Sequence, residues 1–394
     1  MATRSVVPRA DNEGGIGTAL KNWALGWINV LIVVTINGLT LTAAAVGFTI
    51  SGGSSSTSLS VPVSGVVGDW SWWGLKNLRL VDVKAGDATR VVINPDGYNI
   101  PLLIDEHWHI MPAATDVDLD TDMDTGAKAA GTDYYVYACT DGATLSFKIS
   151  ANSTVPTGFD AAHSRKIGGF HTLCVAVGAI GGHTLTNYAQ TDVLPQSVWD
   201  LKHRARCGNN AGMVYDTKSC IWVDIYLASG TGAATASVNG GAISDTRDWN
   251  DFVDDGGAVG KRLMTDPEFQ LAATGSNEET NIAGSADPGT TAGHTDTAGR
   301  RMISNIGCED MCGVLNQWLQ DQSAMYDDNV AAGWYDLPGP KGKLYRPVDT
   351  NDVKLFAGGY WNDAANAGSR CRYAGSCRWH TRTNVGARFV SEPR

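Results

Sequence analysis

The side chains with chemical potential fall in a few places along the chain. Asp116, Asp118, Asp120, Asp122 and Asp124 alternate with apolar or Thr residues and invite a calcium reading. An EF-hand loop needs Gly at its sixth position and Glu at its twelfth, and no register here supplies both. The alternation suits an extended segment with one acidic, solvated face. His107-Trp108-His109 places two imidazoles on one strand face, because side chains at i and i+2 point the same way. Three copies of the chain around a three-fold axis would bring those imidazoles together, so His107 and His109 are the metal-ligand candidates, set against plain strand histidines. Cys371 and Cys377 either close a short loop as a disulfide or remain free thiols. No Cys pair has CxxC spacing, and GxSxG, Walker A, HExxH and dinucleotide GxGxxG contexts are absent; Asn239-Gly240-Gly241 reads as a turn. No catalytic residue and no cofactor is called for.

A different chemistry gathers near the C-terminus. Between short Gly-containing framework stretches stand Asn362, Asp363, Ala364 and Asn366, then Tyr373, Arg378, Trp379, His380, Arg382 and Asn384. Such a mixture of aromatic, amide and guanidinium groups is what a recognition face uses, since Tyr, Trp and Arg give large or forked contacts at modest entropic cost.

The elements that must position this face are β-rich. With 394 residues the chain exceeds one ordinary core, and 46 Gly with 18% charged residues suit turn-rich strands better than helical bundles. A net charge of −11 argues against a nucleic-acid partner, which needs clustered Lys and Arg. The start MATRSVVPRADNEGG does not read as a signal peptide, so synthesis in a bacterial cytoplasm is expected. Leu25 to Ile50 is apolar but interrupted by Asn29, Thr35, Asn37, Gly38 and Thr40, so no membrane insertion is expected.

Residues 14 to 50 predict two or three short strands with an Asn37-Gly38 turn. Runs such as Thr89–Ile93 and Tyr134–Ala138, bounded by Gly, Pro and Asp, predict a β-prism or β-sandwich. Helices are predicted around Trp249–Val253 and Thr265–Thr274, the second opened by a Thr265/Glu268 capping box with Pro267 in the first turn. The long stretch 275 to 300 has the character of a functional or assembly-contacting loop.

Two resemblances enter on these residues. The pattern IGT…W…INGLTLT, followed by GFTISGGSSSTSLSV, looks like the N-terminal virion-anchoring region of trimeric phage tail and head fibres. The run Leu355-Phe356-Ala357-Gly358-Gly359-Tyr360-Trp361-Asn362, with Gly368-Ser369-Arg370, Gly386-Ala387-Arg388 and GKRLMTDPEFQLAATG, resembles the formylglycine-generating-enzyme branch of the C-type lectin fold. Within that branch it is most similar to the phage major-tropism-determinant family, the variable proteins of diversity-generating retroelements. The likeness runs upstream through Gly131-Thr132-Asp133-Tyr134, Arg165 to His171, Trp199-Asp200-Leu201-Lys202 and Trp222 to Tyr226.

That resemblance implies a β-rich, multi-domain trimeric fibre: a virion-anchoring β region over 1–60, a β-prism or β-sandwich stalk over 61–195, and an α+β C-type-lectin-like receptor-binding domain over 196–394. It implies receptor contact through Tyr360, Asn362, Asp363, Ala364, Asn366, Tyr373, Gly375, Ser376, His380, Arg382, Asn384 and Val385, to which the residue chemistry adds Trp379. Gly358, Gly359, Trp361, Arg370, Gly386 and Arg388 would be framework, with both arginines as buried struts. The implied partners are a host-surface receptor, other virion proteins and two further copies of the chain, in a tail or head fibre. The alternative is a capsid head-fibre or decoration protein that gives general surface or glycan adhesion. An oxidative enzyme of the same branch is disfavoured, because Cys371 and Cys377 follow Gly368-Ser369-Arg370 and do not follow closely on Gly358-Gly359. Trp361-Asn362-Asp363 matches one element of the calcium-dependent sugar motif, without its Glu-Pro-Asn or Gln-Pro-Asp partner loop.

Overall fold

The computed structural model describes residues 39–44, 47–52 and 55–59, and 79–393 apart from 99, 202–203, 205–206, 327, 337–342 and 347–349. The chain divides into units Met1–Gly74 and Leu75–Arg394. In the first, β1 (Leu39–Ala44), β2 (Gly47–Gly52) and β3 (Ser55–Leu59) form an antiparallel sheet in that order. The predicted Asn37-Gly38 turn lies outside the described residues, as does the remainder of the expected anchor up to residue 38.

The second unit opens with β4 (Val81–Lys84), β5 (Asp87–Ile93), β6 (Pro101–Ile104), β7 (His107–Ile110), β8 (Thr115–Asp118), β9 (Asp133–Thr140), β10 (Leu145–Ser150), β11 (Ser164–His171) and β12 (Trp199–Asp200). These make sheets of order β4-β5-β8, β6-β7 and β10-β9-β11-β12. The alternating runs predicted as strands lie inside β5 and β9, and their inward residues, Val91, Ile93, Val136 and Ala138, share one core with Ile149 and Ile167. The Asp200 carboxylate accepts from the backbone N–H of Leu80 (2.7 Å) and Val81 (3.1 Å), which fixes the entry of β4.

The acidic ladder departs from the predicted extended segment. Only Asp116 and Asp118 lie in β8; beyond it the chain turns, with the Asp122 carboxylate accepting from Asp118 N at 2.8 Å. Asp116, Asp118 and Asp120 pair with Lys84, Arg90 and Lys128, so the acids are spread over separate local partners. No group of His, Cys, Asp and Glu suited to a metal occurs among the described residues. His107 and His109 share a strand face as expected, but it is the face of buried Leu102 and Ile104, their cross-strand neighbours. The opposite face carries exposed Leu103, Trp108 and Ile110, while His107 is itself exposed and His109 half-buried.

The chain continues through β13 (Met213–Asp216), β14 (Ile221–Asp224), α1 (Trp249–Ala258), β15 (Arg262–Leu263), α2 (Asp266–Ala272), β16 (Asn316–Tyr326), β17 (Gly333–Asp336), β18 (Lys343–Arg346), β19 (Thr350–Gly358), β20 (Gly368–Tyr373), β21 (Val385–Gly386) and β22 (Phe389–Ser391). Two four-stranded sheets result, β13-β14-β22-β15 and β20-β19-β16-β21, and β17-β18 forms a hairpin between β16 and β19. The last strand, β22, thus sits in the middle of one sheet, between β14 and β15.

The α1 helix begins at Asp248, whose side chain accepts from Asn250 N (2.8 Å) and Asp251 N (2.9 Å), while Asp251 returns the bond to Asp248 N (3.2 Å). It runs past the predicted Val253 to Ala258, because Gly256 leaves room for Phe389; a Cβ there would meet that ring at 2.9 Å. In α2 the Glu268 carboxylate accepts from Thr265 N at 2.8 Å, the bond the capping-box spacing predicts. The stretch 275 to 300 is irregular but pinned. Buried Asp296 accepts from Thr280 Oγ1, Ala298 N and Arg300 N at 2.8, 2.9 and 2.9 Å.

Buried polar contacts join the two cores. The His171 ring nitrogens reach Asp133 Oδ1 (2.8 Å) and the Tyr226 hydroxyl (3.0 Å), and Asp133 also accepts from Gly212 N at 3.1 Å. Nearby, Arg301 grips buried Glu309 through two 2.7 Å contacts, and Lys261 meets fully buried Asp224 at 2.6 Å. Breaking one partner of such a pair leaves an uncompensated charge. Lys261→Ala is therefore expected to cost about 3–5 kcal/mol in urea unfolding, and a loss below about 1 kcal/mol would show that water reaches the pair.

Candidate functional site: a polar pocket on the C-terminal sheet

The predicted recognition segment lies on the edge sheet β20-β19-β16-β21 and the loops that leave it. Its foundation is Arg388, fully buried as expected. The guanidinium donates to the carbonyls of Asp224 (2.7 Å), Ile225 (2.5 Å) and Glu309 and to Gln317 Oε1 (3.1 Å). One side chain thus ties the β14 end, the 309 loop and β16 together.

Gly358 and Gly359 adopt φ of +90° and +80°, where a side chain is strained. A Cβ on Gly358 would meet Met311 O at 2.5 Å, and one on Gly359 would meet Ala367 at 2.9 Å. Trp361 packs beside Val314, Leu315, Leu227 and Ile282, which anchors the turn after β19. Gly386 is buried in β21.

Arg370 overturns its prediction: it is exposed, and the strut is Arg372. Arg372 donates from Nε to Asp266 Oδ1 at 2.8 Å, contacts the carbonyls of Ser369 (3.1 Å) and Cys371 (2.7 Å), and lies 5.0 Å over Phe269. The reason is a bulge. Ala357 pairs with Arg372 but Gly358 pairs with Gly368, so the extra residues between them break strict alternation.

A cavity of about 550 Å³ opens on this sheet, lined by Asn316, Phe356, Tyr360, Asp363, Asn366, Cys371, Arg372, Tyr373, Arg382, Asn384 and Val385. Tyr373, 45% exposed, stacks on Phe356 with centroids 5.7 Å apart and planes 10° off parallel. Gly375 makes room for it, since a Cβ there would lie 2.9 Å from the Tyr373 hydroxyl. Tyr360 sits edge-on to Trp361 at 5.3 Å, and its N–H donates to Asp363 at 2.9 Å. Burial raises the Asp363 carboxyl above the usual range, opposed by that bond.

The other candidates divide. Asn362, Ala364, Asn366 and Arg382 are exposed, and Asn384, Trp379 and His380 are half-buried. Ser376 and Val385 are buried, so neither presents contact surface; Val385 lines the pocket as part of β21. The pattern of short polar residues gave no sign of this, because β21 pairs with β16 over two residues only. Burial lowers the His380 pKa, with the charge of Arg382 adding to it. Arg378 is occupied by Asp352 and by the face of Trp249, 5.3 Å away. Sequence reasoning missed Asn316, Phe356, Cys371 and Arg372 as pocket residues; the first two belong to β16 and β19, where they read as ordinary strand positions.

None of the eight cysteines is in a disulfide, so Cys371 and Cys377 are separate thiols. Burial pushes the Cys371 thiol up, the opposite of what a nucleophile requires.

With this geometry in place, comparisons with known proteins identify the type of chain. Residues 94–200 match the family model described as Mtd second domain. The chain is 28% identical over 276 residues, 64% of its length and 68% of the other protein's, to the tail fiber receptor-binding protein of Bordetella phage BPP-1. In structure it is similar to the Major Tropism Determinant U1 variant, at a TM-score of 0.67 and 22% identity over 92% of this chain and 96% of that one. It is likewise similar to the M1 variant, at 0.66 and 23% over 88% and 91%. The fold is that of the major tropism determinants, and the resemblance drawn from the C-terminal motifs holds.

Arg388 and Arg370 separate framework from surface. Arg388→Met should cost roughly 3 kcal/mol or more, since it strands several buried acceptors, whereas Arg370→Met should stay within about 0.5 kcal/mol. Equal losses in thermal unfolding would contradict the assignment.

Proposed function

We propose that this chain is a phage receptor-binding fibre protein that adsorbs the particle to its host through the face formed by β19, β20 and the 374–384 loop. The observation that carries this reading is the pocket: most exposed or half-buried residues of the predicted recognition set converge on one concavity held by a rigid buried frame. The similarity to a tail fiber receptor-binding protein and to Major Tropism Determinant variants supports it. The contact set is Tyr360, Asn362, Asp363, Ala364, Asn366, Tyr373, Gly375, Trp379, His380, Arg382 and Asn384. The protein is non-enzymatic, resides in the virion and needs no cofactor.

The finer organisation follows the same reading. Residues 1–60 attach to other virion proteins, 61–195 form the stalk, and 196–394 form the lectin-like head, with three chains per fibre. Support for self-association comes from the outward face of β6-β7, where Leu103, Trp108 and Ile110 are 42, 69 and 58% exposed beside Tyr98. Burying that patch against a second copy would remove an apolar surface unusual in a monomer.

Tyr373→Ala combined with Arg382→Ala should abolish adsorption of the purified protein to intact host cells while the melting temperature stays within a few degrees; unchanged adsorption would place the receptor face elsewhere. Trp108→Asp should shift the sedimenting species from trimer towards monomer. A trimer that persists unchanged would exclude this hairpin from the interface.

A further inference from the structure

The pocket has a chemical bias that receptor binding alone does not specify. The whole chain is acidic, at −11, yet between Ala364 and Ser391 it carries Arg370, Arg372, Arg378, Arg382 and Arg388 and neither Asp nor Glu. Of these, Arg372, Arg378 and Arg388 are committed to internal partners. The Arg382 side chain lines the pocket with no hydrogen-bond or ion-pair partner among the described residues. The nearest acid in the wall, Asp363, already accepts from Tyr360 N. A guanidinium in this state is an open forked donor for a carboxylate or phosphate.

The floor adds a second, independent sign. Asn316 is only 7% exposed, and its side-chain amide has no partner among the described residues although it lines the cavity. Its amide atoms open onto the cavity and are not among the buried unpartnered groups, so they are available to a polar group that arrives from outside. Asn366 and Asn384 stand on the same wall, and Tyr373 offers a ring face already held flat by Phe356. Amides that pair with hydroxyls, an aromatic plane for a C–H face and one free guanidinium together match an acidic sugar. The volume, about 550 Å³, lies in the range of small-ligand pockets.

Resting on the receptor-binding reading above, we propose that this pocket seats a single anionic saccharide residue of the host surface, with its acid group on Arg382, hydroxyls on Asn316 and Asn384, and its ring against Tyr373. No calcium takes part.

Saturation-transfer NMR on the full-length protein tests this with the methyl glycosides of galacturonic, glucuronic and 3-deoxyoctulosonic acids against methyl galactoside and methyl glucoside. At least one acidic glycoside should bind, its neutral counterpart at least tenfold more weakly, and Arg382→Gln should weaken the acidic one at least tenfold without changing the melting temperature. Asn316→Ala should weaken binding as well, and the exposed Arg382 variant keeps the test decisive if the buried one misfolds. Neutral glycosides bound equally well, or acidic binding that survives Arg382→Gln, would overturn the proposal. If no glycoside binds and protease treatment of host cells abolishes attachment of the chain, the ligand is a protein: the saccharide assignment fails and the receptor reading stands. If the chain does not attach to host cells at all, the receptor reading fails too.

Discussion

The C-terminal sheets of this protein depend on one buried guanidinium. Its segments between strands are long and irregular, so their carbonyls lack the partners that helices and ladders supply, and each must find one or pay for desolvation. Arg388 supplies donors to three of those carbonyls and to Gln317 from one planar group. Because it follows β21 and precedes β22, it locks the sheets β13-β14-β22-β15 and β20-β19-β16-β21 to the 309 loop. Arg301 with Glu309 and Lys261 with Asp224 extend the same solution outward. The exposed residues of 360–384 therefore do not have to hold the sheets together.

Much of the fold was legible in the sequence because its signals are local. Alternation marked β5 and β9, and the Thr265/Glu268 spacing marked α2. Gly358-Gly359 marked a turn that only glycine fits. The upstream motifs, which carry no chemistry of their own, gain a physical reason in the structure: Asp133, His171 and Tyr226, taken from three of them, meet in one buried hydrogen-bonded chain between the two cores.

What was not legible came from long-range pairing. The bulge between Ala357 and Gly358 sends Arg372 inward and Arg370 outward, and no local pattern distinguishes two arginines two residues apart. Val385 pairs with β16 and the chain beside Ser376 pairs with β19, and the pocket takes Asn316 from β16, tens of residues upstream of the recognition segment, and Phe356 from the end of β19 just before it. The histidines of β7 share one face, as alternation requires, but that buried Leu102 and Ile104 lie opposite them is set by the cross-strand register. A pocket read from one contiguous segment thus yields its rim and misses its floor.

The central claim is that contact with the host runs through this pocket and its rim. Amide hydrogen exchange of the full-length protein, with and without outer-surface vesicles from host cells, tests it most directly. The account predicts new protection confined to 360–384 and the start of β16. Protection at β17 and β18 or the β6-β7 hairpin, with 360–384 unchanged, would contradict it.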